Sequence, residues 1–161
     1  MVSQSQQPGW DASDEQWMDR ALILADKAAQ QAEVPVGAVI VRAGKVLGEG
    51  WNQMITSSDP TAHAEIVAMR AAAASVGNYR LPDTTLYVTL EPCTMCAGAM
   101  IHARIGRLVF AAAEPKAGVV SSRCALLDEP WYNHKLPWRG GVLAVESSAR
   151  LQAFFKARRG R

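Results

Sequence analysis

The sequence predicts an α/β protein built on a five-stranded sheet, and three observations carry that reading. Short runs rich in β-branched residues alternate with longer stretches of helical periodicity. The first two runs flank a turn of hairpin length, and the later ones are separated by helices. Helix-connected strands imply parallel crossovers, so the later part of the sheet is expected to be parallel and covered on both faces. With an antiparallel hairpin ahead of it, the whole sheet is mixed.

The elements follow in order. Residues 1–9 are polar, Gln/Ser-rich and without periodic apolar positions, and read as a flexible N-terminal arm. They have no basic stretch followed by an apolar one, so no secretory signal is expected there. Residues 10–161 read as a single domain. Its first helix is predicted from Ser13, whose spacing to Gln16 suits a capping box, to about Ala32, with Trp17, Ala21, Leu24 and Ala28 on the buried face. Val36 to Val41 and Val46 to Gly50 read as strands around Arg42-Ala43-Gly44-Lys45, a hairpin turn. A loop leads to a second helix from about His63 to Val76, ended by Gly77. Thr85 to Thr89 is the third strand, followed by a helix from about Cys93 to Ala103 and a fourth strand from Leu108 to Ala112. A short helix over Ser122 to Asp128, a fifth strand over Gly141 to Glu146 and a last helix from about Ser148 complete the chain.

Composition bounds the function. At 161 residues, 49% hydrophobic and 20% charged, the chain encloses a core of its own without disulfide staples, and disorder is not indicated. No apolar run approaches the roughly 20 residues that a membrane span needs. Two of the three cysteines form a C-x-x-C and Cys124 has no evident disulfide partner, which points to a reducing, cytoplasmic setting. Lys156, Arg158, Arg159 and Arg161 crowd the last six residues; without them 13 basic residues face 15 acidic ones, a net of −2. A mildly acidic body with a basic tail suits a polyanionic partner, although cations at a helix C-terminus also have a purely structural use.

The chemistry sits in two short segments, His63-Ala64-Glu65 and Pro92-Cys93-Thr94-Met95-Cys96. One imidazole and two thiolates suit Zn²⁺ and leave a fourth tetrahedral position for water, whose pKa the metal lowers. Both segments fall where a helix begins, and the partial positive charge there favours thiolate. Glu65, two residues beyond His63, does not share its direction on a regular helix, so it reads as a proton-moving group beside the water rather than a ligand. Two other uses of the same residues stay open at this point. A structural zinc site would recruit His102, His134 or Cys124 as fourth ligand, and a redox C-x-x-C would leave the His-x-Glu without a role.

The arrangement H-x-E…P-C-x-x-C resembles the signature of zinc nucleobase deaminases. The longer stretches Asp59-Pro60-Thr61-Ala62-His63-Ala64-Glu65 and Leu86 to Ile105, with Thr89-Leu90-Glu91-Pro92-Cys93-Thr94-Met95-Cys96-Ala97-Gly98-Ala99-Met100 at their centre, resemble the bacterial tRNA-specific adenosine deaminases of the cytidine and deoxycytidylate deaminase superfamily. The resemblance spans about Asp14 to Arg159. It implies a cytidine-deaminase-like three-layer α/β/α sandwich, a homodimer, and one Zn²⁺ per subunit held by His63, Cys93 and Cys96. It also implies conversion of the wobble adenosine of a tRNA anticodon stem-loop to inosine, by attack of zinc-bound hydroxide at C6 and release of ammonia, with Glu65 as proton shuttle. Asn52 matches a position that contacts the target base; read by itself, it suits a loop-capping asparagine. Phe154, Phe155 and Arg158 match the C-terminal helix that contacts tRNA. Glu114, in Glu114-Pro115-Lys116-Ala117-Gly118, stands where the family usually has Asp, and Trp131 to Gly141 matches less well. The competing expectations are a deaminase of a free base or nucleoside, of guanine or cytosine type, and a non-catalytic zinc-stabilised RNA-binding subunit.

Overall fold

A hairpin opens the sheet of the computed structural model, which describes residues 9–160. Residues 1–8 of the expected arm, and Arg161 of the basic tail, lie outside the described residues. Strands β1 (Gly37–Arg42) and β2 (Lys45–Trp51) pair antiparallel. Ala43 and Gly44 between them both have left-handed φ, of 51° and 75°, the conformation a two-residue hairpin turn needs to match strand twist. β3 (Thr85–Leu90) pairs antiparallel with the other edge of β1, and β4 (Arg107–Ala112) and β5 (Trp138–Arg139) continue in parallel, giving the order β2-β1-β3-β4-β5. The expected five-stranded mixed sheet is therefore present.

Helices cover both faces, as the continuous burial along β1, β3 and β4 requires. On one face, α2 (Ala64–Val76) and α3 (Thr94–His102) close over Ala38, Ile40, Leu86, Val88, Leu108 and Phe110. On the other, α1 (Ala12–Gln30) sets Met18 and Ala21 against Val39, Val41, Tyr87 and Val109, and α4 (Ala144–Arg159) lies beside it across β3 and β4. Approach of α2 to β2 is unusually close. A Cβ at Gly50 would stand 2.4 Å from the Ala64 carbonyl, and one at Gly48 2.5 Å from that of Ala68. Two side-chain-free strand residues facing alanines thus let the helix backbone rest on the sheet, and this seats the helix start at the sheet's end.

Four boundaries differ from the sequence reading. The cap of α1 is Asp11, whose carboxylate accepts from the Asp14 amide while Asp14 reciprocates; the Ser13 hydroxyl instead donates to Asp11. Trp17 is only half-buried, and Met18, Leu22 and Ala25 join Ala21, Leu24 and Ala28 as the buried face. The fifth strand is not Gly141 to Glu146. Val142 is buried against the α1 face of the sheet without strand pairing, Leu143 turns through left-handed φ of 56°, and the last helix starts at Ala144 rather than Ser148. β5 instead lies in the Trp131–Gly141 segment, where Trp138 stacks on Phe110 with ring centroids 5.6 Å apart. The expected helix before it shrinks to one 3₁₀ turn, Leu126–Asp128.

Candidate active site

Strand register brings the pieces of the site to one end of the sheet. Because β1 runs against β3 with Ala38 opposite Val88, the start of β1, the end of β2 and the end of β3 share that end. The chain leaves β3 through Glu91 and Pro92 to enter α3, and the loop after β2 returns to enter α2. Open α/β sheets place ligands at such carboxyl ends. A cleft of about 190 Å³ lies there, with Asn52, Met54, His63, Glu65, Cys93 and Glu114 among its lining residues.

His63 and Cys93 are themselves the N-caps of α2 and α3, in extended conformation and with no capping bond from their own side chains. Their side chains are thereby released toward each other. His63 Nδ1 lies 3.6 Å from Cys93 Sγ and 3.5 Å from Cys96 Sγ, and the three ligand atoms all lie within 4.8 Å of one another. No other His, Cys, Asp or Glu among the described residues joins that cluster. The alternative fourth ligands are elsewhere: His134 Nε2 is engaged with the Ile105 carbonyl at 2.7 Å, Cys124 is exposed, and His102 lies in a groove between α2 and α3. Three converging ligands and a cleft in front of them describe an open zinc site rather than a closed structural one.

The protonation chemistry agrees with a cation at this point. The Cys93 thiol is pushed down to about 3, chiefly by its hydrogen bond with Cys96 and against the effect of burial. The Cys96 thiol is driven far up by the same contact and by burial. His63 is raised, above all by its contact with Cys93. Two thiols and an imidazole this close together carry protons that a divalent cation displaces when it binds. The donor set therefore fits Zn²⁺.

Glu65, at the second residue of α2, is 4% exposed. Burial is the largest influence on its carboxyl and holds it above the ordinary glutamate value. Asn52 has a structural task that its motif match does not mention. Its Oδ1 accepts from the Ala64 amide at 2.9 Å, capping α2 in place of His63, and its Nδ2 donates to the Val34 carbonyl at 3.1 Å. Asn52 thus caps the helix, as its loop-capping reading expects, and it also lines the cleft. A carboxamide carries two N–H groups and two lone pairs, so these two bonds leave one of each at the cleft wall.

The remaining expected contacts lie on α4. Phe154 is half-buried, Phe155 is 43% exposed, and the two rings meet edge to face at 5.5 Å. The Arg158 guanidinium lies 5.3 Å from the Phe154 centroid, and both residues line a groove with Ala29 and Ala32 at the end of α1. Val34, two residues beyond Ala32, lines the cleft. Glu114 also lines it, with a carboxylate that accepts from the Lys116 amide at 2.9 Å. Sequence reading gave no role to Glu33 or Glu91, two buried carboxylates whose partners are loop amides and hydroxyls; Glu91 stands inside the motif stretch, but its residue type does not say what it binds.

Residues 11–112 match the family model of the cytidine and deoxycytidylate deaminase zinc-binding region, and the chain belongs to this family. Within it, the chain is 56% identical to the tRNA-specific adenosine deaminase of Haemophilus influenzae, over 91% of this chain and 85% of that protein. The corresponding protein of Agrobacterium fabrum is 43% identical over 89% of this chain and 94% of its own. Among solved structures, one from work on A-to-I editing by tRNA:A34 deaminases at the wobble position matches with a TM-score of 0.82 and 43% identity, covering 84% of this chain and 99% of that one. A guanine deaminase of Bacillus subtilis matches with a TM-score of 0.61 and 35% identity, covering 91% and 94%.

Proposed function

We propose that this chain is a zinc-dependent tRNA adenosine deaminase that converts the wobble adenosine of an anticodon loop to inosine. The observation that carries the reading is the three-ligand cluster of His63, Cys93 and Cys96 opening on a cleft where a buried carboxylate, Glu65, stands two residues from the histidine. The likeness to tRNA-specific adenosine deaminases over nine tenths of the chain supplies the substrate.

His63, Cys93 and Cys96 would hold the zinc, which would supply the Lewis acidity that makes a nucleophile of water near neutral pH. Glu65 takes the proton of the attacking water and delivers one to N1 of the adenine. As the C6–O bond forms, C6 becomes tetrahedral. Glu65 then takes the remaining proton from the hydroxyl on C6 and passes it to the amino group, the C6–N bond breaks, and ammonia leaves with inosine as product. A carboxyl that burial holds above its ordinary value suits a group that must carry a proton and then return it. Asn52 holds the base with the N–H and lone pair not used in capping α2. A cleft of this size requires the base to be splayed out of an unpaired loop. Phe154 and Phe155 stack on flanking bases, and Arg158 with the other basic residues of the tail binds phosphates.

The reading also takes residues 10–161 as one deaminase domain, cytoplasmic and homodimeric. No helix among the described residues is long and apolar enough to cross a membrane, and all three cysteines are free. An apolar groove of about 350 Å³ between α2 and α3, lined by Ile66, Met69, Tyr79, Ala99 and Ala103 among others, offers the dimer contact.

The deciding experiment incubates the protein with an anticodon stem-loop carrying adenosine at the wobble position, in parallel with free adenosine, cytidine and guanine. Inosine is expected in the stem-loop. Product from free bases alone would establish the guanine-type alternative, and no product with any substrate would leave a zinc-stabilised RNA-binding subunit. Glu65→Ala should keep zinc and lose at least a hundredfold in rate, the usual worth of a general acid–base. His63→Ala should lose the zinc itself.

A further inference from the structure

Glu91 stands between β3 and Pro92-Cys93 and is 3% exposed, yet it is neither a zinc ligand nor a proton shuttle. Its two oxygens accept from five donors on one loop. Oε1 takes the Glu114 amide at 3.0 Å and the Ser122 hydroxyl in a short contact. Oε2 takes the amides of Val120 at 3.1 Å, Ser121 at 2.9 Å and Ser122 at 3.0 Å. A carboxylate has about four lone-pair sites, so this one is saturated by the protein and has nothing left for a substrate. Hydrogen bonds to the charged form outweigh burial and hold it below the ordinary glutamate value.

The loop so gathered forms part of the cleft wall, through Glu114 and Ala117. Other contacts hold it as well: the Gly118 amide donates to the Glu114 carbonyl at 2.8 Å, the Val119 amide to the Pro92 carbonyl at 3.1 Å, the Arg123 and Leu126 amides to the Gly118 and Val119 carbonyls at 2.8 and 2.9 Å, and Val119 and Val120 are buried in the core. Gly118 packs directly on the Glu91 carboxyl group, where a Cβ would stand 2.4 Å from its Cδ. The same backbone that carries Glu91 carries Cys93 two residues later. One buried side chain thus ties five donors of that loop to the strand end that leads into Cys93.

We propose that Glu91 is a positioning residue for the substrate: by clamping residues 114–122 it sets the wall against which the substrate is held, without entering the chemistry. The proposal rests on the deaminase reading for its substrate, and its structural half is testable without one. In Glu91→Gln, an amide N–H₂ replaces one accepting oxygen and faces backbone donors. Hydrogen exchange at Val120, Ser121 and Ser122 should accelerate whatever the substrate is. With the stem-loop, KM should rise about tenfold, the order expected for losing one or two bonds to a charged acceptor, while kcat stays within about threefold and zinc content is unchanged.

Gly118→Ala reaches the same wall with Glu91 intact and should reproduce the split. Ser122→Ala, which removes one donor only, should give a smaller rise in KM. Glu91→Asp keeps the charge but is a methylene short, and should fall between wild type and Glu91→Gln. If Glu91→Gln does not fold, the Gly118 and Ser122 variants carry the test. A fall in kcat at unchanged KM, loss of zinc, or unchanged exchange in the loop would each overturn the proposal. Wild-type protein inactive on the stem-loop would instead overturn the deaminase reading, and the exchange result would still stand for the clamp.

Discussion

Asp14 shows how much a single carboxylate does away from the cleft. It is 3% exposed, it closes the capping box of α1, and its oxygens take Arg107 at 2.8 and 3.0 Å and the Tyr87 hydroxyl at 2.8 Å. Burial alone would raise its carboxyl; the hydrogen bonds from Arg107, Tyr87 and Asp11 outweigh it and hold the group below the ordinary aspartate value. A depressed folded-state value stabilises the protein fully above the unfolded value and loses that contribution as pH falls through the folded one. Asp14→Asn should therefore cost about 1.5–3 kcal/mol near neutral pH, where charge-assisted bonds are lost. The gap in denaturation midpoint between the variant and wild type should narrow as pH drops below about 4. A gap independent of pH would show that packing, not charge, is what Asp14 supplies.

Among the elements, α4 is the one that faces outward. Of its residues only Ser147 is buried, its hydroxyl bonded to the Thr89 carbonyl at the end of β3, and Arg150 holds Asp26 of α1 at 2.8 Å. The rest of the helix is free to present Phe155, Lys156, Arg158 and Arg159. Ending the chain after Phe155 should weaken binding of the stem-loop and flatten the dependence of log K on log salt by about 0.7 for each phosphate contact removed from a single strand. Zinc content should not change, because no ligand lies on α4. Equal affinity and slope in the truncated protein would remove the basic tail from the interface. The same exposure explains why this helix was hard to delimit from sequence. A helix that buries one serine has almost no apolar stripe, and the apolar pair Val142-Leu143 before it imitates a strand.

At the scale of the whole molecule, the α2–α3 face carries the apolar groove assigned above to the dimer contact. Tyr79, 66% exposed, stands at its edge beside the apolar groove. Ala99→Glu, a helix-compatible change on that face, should convert a two-chain particle into a single chain in sedimentation, with zinc retained. A wild-type protein that sediments as one chain would refute the dimer directly. The placement has a consequence for the site, since α2 and α3 are also the helices whose N-termini hold His63, Cys93 and Cys96.

Much of this organisation is legible along the chain because it depends on local rules. The hairpin around Ala43-Gly44, helices beginning at His63 and Cys93, and the ligand set itself follow from turn chemistry, apolar periodicity and the preferences of zinc. The tertiary structure decided what depends on residues far apart. A two-residue strand at Trp138–Arg139 shows no alternation, and it exists because β4 offers an edge and Phe110 a ring to stack on. The cap of α2 comes from Asn52, twelve residues before the amide it accepts. Glu91 is one acid among fifteen until the fold wraps residues 114–122 around it. Metal ligands declare themselves by residue type and spacing, whereas a buried carboxylate takes its meaning from the donors that surround it, and only the folded chain brings those donors together.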